Sequence, residues 1–292
     1  MSDAEPRKGS PSGTTLYVLA HKECLALERA LRLRKGRQDG IHNARKSSRR
    51  LRSLLTFLPS TVDKRKTALH KSLKQLAGSF SSTRDAHMAA RTARLLATTH
   101  QAALTPTLLD AFEDRSKAIL KQALKKDPDW RAHRAKVRRI VAAIARLPWQ
   151  QVNAAEVKKA VKRNIRRVKK ARKKALEERT APAYHRWRRR ARKLRYQLEW
   201  VHNARDAVGI KKKRAKRYDD RLKDLKLTID QLGWRQDFAV FRKAVDQLPA
   251  SADAIALRAS LQRTSSSLSK ASPPTPRSKV ERAFVAHGSS TA

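Results

Sequence analysis

Apolar residues recur along the chain at intervals of three and four, the spacing that lines one side of an α-helix. Leu16, Leu19, Ala20, Leu27, Ala30 and Leu31 predict a first helix from Thr14 or Thr15, broken by Gly36 and Gly40. A second covers Ile41–Leu58 and stops at Pro59. Ser60 or Thr61 can cap a third, whose seam of Leu69, Leu73 and Leu76 runs out near Gly78. After the polar run Ser79–Asp85, the next helix carries Met88, Ala89, Leu95 and Leu96. Pro106 opens a helix through Phe112, Ile119 and Leu124 that Asp127-Pro128-Asp129 stops, and Trp130–Leu147 holds Val137, Ile140, Val141 and Ile144. Beyond Leu147-Pro148, Val157, Val161, Ile165 and Val168 stripe a helix over Asn153–Arg179, and Ala181-Pro182 starts another that ends before Gly209. Leu222, Leu225, Ile229 and Leu232 predict one helix; Phe238, Phe241, Val245 and Leu248 predict a separate one closed by Pro249. A last helix runs from Ala252 to about Leu268.

Composition agrees with an all-α fold: aromatics are 5%, glycines number 8, and Ala, Leu, Lys and Arg dominate. Residues 1–14 and 269–292, rich in Ser, Pro, Gly and charge, are expected to be disordered tails.

The stretch Ile41–Leu58 returns 143 residues later as Tyr184–Val201. His42 reappears as His185, Arg45 as Arg188, Arg49 as Arg192, Leu51 as Leu194 and Arg52 as Arg195, with Lys193 in place of Arg50. At about 100° per residue from His42, Arg49 falls at ~−20°, Lys46 at ~+40°, Arg45 at ~−60° and Arg52 at ~−80°, a single cationic face. Ala44, Leu51, Leu55 and Leu58 take the opposite side. In the second copy His185, Arg188, Arg192, Arg195 and Tyr196 share one face, and Trp187, Leu194, Leu198 and Val201 the other. A repeated charged face implies one common ligand. The repeat therefore divides the chain into two related halves, 15–147 and 148–268.

Charge defines that ligand's class. Lys and Arg number 70 against 25 acids, a net of +45, which self-repels in a compact state unless a polyanion neutralises it. Phosphate suits such a surface, because Arg grips two oxygens at once and Lys offers a point charge. Arg45, Arg49, Arg52, Arg188, Arg192 and Arg195 lead as direct contacts, with Lys46, Arg50, Arg189 and Lys193 on the flanks. Tyr196 either donates its hydroxyl to a phosphate or packs. His42 and His185 sit among cations that lower their proton affinity, while bound phosphate raises it, so binding is expected to be tighter near pH 6 than pH 8. Asp85 and Asp237 either orient an arginine or cap helices, and Glu199 pairs with Arg195 four residues back. The ten Lys and Arg within Ala160–Arg179 form either a solvated face or, through Arg166, Lys169, Lys170 and Lys173, another wall of the anion site.

The motifs H-x-x-R-x-x-x-R-R-L-R from His42 and H-x-x-R-x-x-x-R-K-L-R-Y from His185 closely resemble the paired signatures of the CHAD family, the conserved histidine α-helical domains. The Arg84-Asp85 pair and the run Leu232–Asp237 are similar to that family's R-D and L-G-x-x-x-D elements, so the resemblance spans roughly Leu16 to Leu248. It implies two related helical bundles around a central basic cavity that binds inorganic polyphosphate without catalysis, in the cytoplasm on polyphosphate granules. Protein partners are left undefined. The strand pattern of the triphosphate tunnel enzymes that often accompany such domains is missing.

Other chemistries find little support. There is no Walker loop, H-E-x-x-H or G-x-S-x-G motif, and no cofactor is expected. Glu199 and His202 make an E-x-x-H, but the repeat puts Thr56 and Pro59 at those places, so no metal site is expected. Cys24, the single cysteine, reads as a buried small residue, and no apolar run reaches membrane-spanning length. The rivals are a non-specific RNA or DNA binder, for which only Tyr196 and Trp200 near the basic face could stack on bases, and a triphosphate-processing enzyme.

Overall fold

The structure, a computed structural model, describes residues 10–99 and 104–270. Ten α-helices account for most of these: α1 (Pro11–Ala30), α2 (Arg37–Leu54), α3 (Asp63–Ser79), α4 (Ser81–Thr98), α5 (Pro106–Lys126), α6 (Arg131–Ala145), α7 (Ala154–Glu178), α8 (Ala181–Asn203), α9 (Lys212–Asp246) and α10 (Ala252–Lys270). Among the described residues there is no strand, so the chain is all-α as its periodicity predicts.

Several boundaries differ from the sequence pattern, each for a visible reason. The tails expected at 1–14 and 269–292 fall mostly outside the described residues. Where they fall inside, they are helical: α1 begins at Pro11, whose missing N–H is harmless in a first turn. Its start is pinned by packing, since Ser12 donates to the Ala207 carbonyl at 2.7 Å and both Ser12 and Gly13 are buried. The first helix ends at Ala30, before Gly36 is reached, and Gly36, in a left-handed conformation (φ 64°), instead stands at the start of α2. Gly40, expected to break the first helix, lies inside α2, where a Cβ would stand 2.5 Å from the Ala30 carbonyl oxygen. It is a point of close helix approach. The polar run before Asp85 is helical from Ser81 onward.

The largest difference is α9. Two helices predicted on either side of Gly233 are one helix of 35 residues. Glycine costs a helix interior about 1 kcal/mol relative to alanine. Here its bare backbone receives the Arg188 guanidinium, which a Cβ would approach to 2.6 Å.

Contacts group the chain into two compact units, each assembled from separated segments. The first comprises residues up to Ser79, Asp129–Val168 and Arg192–Asp224. In it α1 packs on α2 and α6, and α3 on the same two helices. The apolar positions assigned to the first signature helix, Ala44, Leu51, Leu55 and Leu58, are all buried here, as are Leu194, Leu198 and Val201 of the second. The other unit comprises Phe80–Pro128, Lys169–Ala191 and Leu225 onward. Its core brings Phe112 against Phe241 (5.2 Å between ring centroids) and stacks Trp234 on Phe238 (5.4 Å), with Leu96, Leu108, Val245, Leu257 and Leu261 around them. Neither unit coincides with one half of the sequence repeat, and the Leu147-Pro148 step falls in the connection after α6.

Cys24 is 2% exposed, and burial, then Glu23 and Glu28, push its thiol up to about 12. No helix of the described residues is long and apolar enough to cross a membrane.

Gly40→Ala is expected to destabilise the protein by about 2 kcal/mol, although alanine is the better helix former, because the new Cβ would meet a backbone carbonyl oxygen that cannot swing aside. Urea unfolding measures this, and an unchanged midpoint would refute so close a crossing.

Candidate functional site

Within the first unit, α2 meets the second half of α8, and Arg50 fastens them. Its Nε donates to Glu23 of α1 at 2.7 Å, and its Nη1 pairs with Glu199 of α8. The guanidinium also lies over the Trp200 ring (4.4 Å) and the Tyr196 ring (5.5 Å). Burial works against its charge, but the two carboxylates outweigh that and raise its pKa. Arg50 is thus a packed structural cation. Tyr196 takes the packing option, at 7% exposure. Trp200 is 2% exposed and its indole N–H donates to Ser53 Oγ at 3.1 Å, so neither ring offers a stacking platform. Asn164 of α7, Gln197 of α8 and Thr56 continue this buried seam, with bonds of 2.6 Å on either side of Gln197.

Beside the seam stands a residue that the repeat does not mark. His70 of α3 is half-buried, and its pKa falls to about 4 through burial first and then repulsion from Lys193, Arg52 and Lys66. One imidazole therefore feels cations from α2, α3 and α8, including a candidate from each signature helix. Lys66 is held at its own end by Asp63 and by the Leu58 and Pro59 carbonyls at 3.4 and 3.5 Å. Sequence offered one faint signal for the pair: Lys66 and His70 are four apart on α3, with Lys66 three residues before Leu69 and seven before Leu73, a cation at the end of the leucine seam. Of the remaining candidates in this unit, Arg45 donates to the Ala77 carbonyl, and Arg195 pairs with Glu199 at 2.8 Å. Arg49, Arg52, Arg192 and Lys193 are half-buried, while His42 and Lys46 are exposed.

In the second unit the run Leu232–Asp237 explains itself residue by residue. Gly233 makes room for Arg188, whose Nη1 donates to Gln236 Oε1 at 2.8 Å and whose Nε reaches the Ile229 carbonyl at 3.4 Å. His185 Nδ1 lies 3.1 Å from the same Gln236 oxygen. Arginine can only donate, so that atom is an acceptor and Nδ1 carries the imidazole proton. Arg235 lies over Tyr184 at 5.0 Å. Asp237, 5% exposed and deep inside α9, accepts from Arg84 at 2.9 Å, and Asp85 accepts from the same guanidinium at 3.1 Å. Both acids orient an arginine, and neither is a cap. Their proximity offsets burial and raises the Arg84 pKa. Arg189 is exposed, and so are Arg166, Lys169, Lys170 and Lys173 of α7.

Among the described residues no group of His, Cys, Asp and Glu could hold a metal ion. The Glu199–His202 pair is occupied otherwise: His202 Nδ1 sits 2.8 Å from Asp219.

Comparison with known proteins matches residues 19–246 to the family model described as CHAD domain. Among solved structures, the crystal structure of the CHAD domain from the plant Ricinus communis superposes with a TM-score of 0.59 at 19% identity, covering 95% of this chain and 92% of that one. At that identity the likeness speaks for the fold. No curated protein matches.

His70 makes stability pH-dependent. Its folded pKa, about 4, lies below the ordinary histidine value of 6.5, so the unfolded chain takes the proton first. The stability from neutral His70 is complete above pH 6.5 and is lost as pH falls toward 4, at up to ~1.4 kcal/mol per pH unit. His70→Gln is expected to flatten that part of the curve in urea titrations between pH 7.5 and 4, and an unaltered slope would show the imidazole is not held neutral.

Proposed function

The chain belongs to the CHAD domain family, and on that premise we propose that it binds inorganic polyphosphate, without turning it over, through the cationic faces of α2 and α8. The observation that carries this reading is that Arg52 from α2 and Lys193 from α8 both repel the proton of one half-buried histidine, His70, in the same unit. Cations held at mutual cost are an arrangement that an arriving anion relieves. Arg49, Arg52, Arg192, Arg195 and Lys193 form the working set there, with Arg188 and His185 poised by Gln236 in the other unit. Arg50 serves as the rivet behind them.

The finer reading follows the repeat: two related halves, 15–147 and 148–268, each lend a signature helix to a basic cavity, and the ligand places the protein on polyphosphate granules. Against base recognition stand Trp187, Tyr196 and Trp200, all buried. A phosphate chain has no need of them.

Binding should weaken steeply in salt, each neutralised phosphate adding roughly 0.7–0.9 to the log–log slope by analogy with nucleic acids. Arg49→Ala with Arg192→Ala is expected to lower that slope by about 1.4–1.8. The check is displacement of labelled polyphosphate by single-stranded RNA and duplex DNA at physiological salt. Equal competition per charge, together with an unaffected double variant, would sink the proposal.

Proton linkage gives a second test. With the Nδ1 proton committed to Gln236, the His185 ring can donate to a phosphate oxygen at Nε2 only as imidazolium. Affinity should be higher at pH 6 than at pH 8, and His185→Asn should narrow the difference. Equal affinities in the parent protein would remove this role.

A further inference from the structure

A groove of about 790 Å³ runs between α3 and α6 in the first unit, and none of the residues assigned above to phosphate lines it. Its floor is aliphatic, made by Leu69 and Ala68 of α3 with Ile140, Ala143 and Leu147 on the other side. Arg65, Lys136, Arg139 and Arg146 stand along it, and no carboxylate lines it. Beyond Arg65 and Arg146 it opens into a second hollow of about 990 Å³ beside Ser60–Asp63 and Gln150.

We propose that this groove docks an acidic amphipathic helix of a partner protein. From Lys136 to Ala145 the groove follows α6 for ~14 Å, about two and a half helical turns, and Leu147 closes it just beyond the helix end. Ala68, Ser72 and Ala143 are small enough to let a third helix approach the pair at the usual ~8–10 Å between axes. A ridge of leucines at i, i+3, i+4 and i+7 matches the aliphatic floor, and flanking Glu or Asp matches the cations.

Charge chooses among occupants. Polyphosphate has the charge but no apolar face to set on Leu69, Ile140 and Leu147. A second copy of this chain brings another +45. The chain's own residues 271–292 carry Arg277, Lys279 and Arg282 against Glu281 alone, so their sign is wrong. An acidic partner fits both features at once.

The probe is a fluorescent 18-residue peptide with that leucine ridge flanked by glutamates, titrated by anisotropy into the full-length protein. A peptide of identical composition with the ridge scrambled is the control. The patterned peptide is expected to bind at least about tenfold more tightly than the scrambled one. Arg65→Glu with Arg139→Glu should cost it about tenfold or more, and a lysine-flanked version of the peptide should regain affinity for that variant. Both arginines are exposed, so a thermal melt will show the variant folded. Ala143→Trp should block the peptide while leaving polyphosphate binding within about twofold, which separates this site from the phosphate site. Equal or absent binding of the two peptides, or indifference to the charge reversal in a folded variant, overturns the proposal. So does a rise in peptide affinity on deleting residues 271–292, which would make that segment the occupant.

Discussion

Scarcity of negative charge governs this molecule. With 25 acids for 70 basic residues, few guanidiniums can be neutralised internally, and an unpaired buried one costs several kcal/mol. Four of the acids sit where a cation enters the interior. Glu23 and Glu199 converge on Arg50, and Asp85 and Asp237 on Arg84. Glu199 serves Arg195 as well. Where no carboxylate is available, the chain meets the same constraint by discharging a group, as at His70.

That distribution sorts the signature residues into kinds that their spacing alone treats as equals. Arg50 and Tyr196 belong to the packing between α2 and α8. His185 and Arg188 are held in fixed directions by a shared carboxamide. His42, Lys46 and Arg189 reach solvent. A charged face on a helical wheel is therefore a mixture of fasteners, aimed donors and solvent-facing groups, and only the surroundings on neighbouring helices tell them apart.

The same distinction explains what was legible in the sequence. Periodicity located the helices and their buried sides correctly, because Leu51, Leu194 and Leu198 obey a local rule. It failed at Gly40 and Gly233, where glycine answers to another segment: a carbonyl of α1 in one case and a guanidinium of α8 in the other. Pro11 and Ser12 looked like tail for the same reason, since their helix is pinned by Ala207 far along the chain. Among the site residues, the repeat exposed those that come in two copies. Gln236 and His70 have no counterpart to betray them, and their importance rests on distances that no single-chain pattern records.

The burial of Cys24 has a practical corollary. Thiol reagents attack the thiolate, and a sulfur 2% exposed with a proton held to about pH 12 presents almost none at neutral pH. Oxidants and maleimides alike should pass it by. A cysteine introduced anywhere on the exterior would then be the sole reactive sulfur in the native fold, open to site-selective dye attachment without first deleting the natural one.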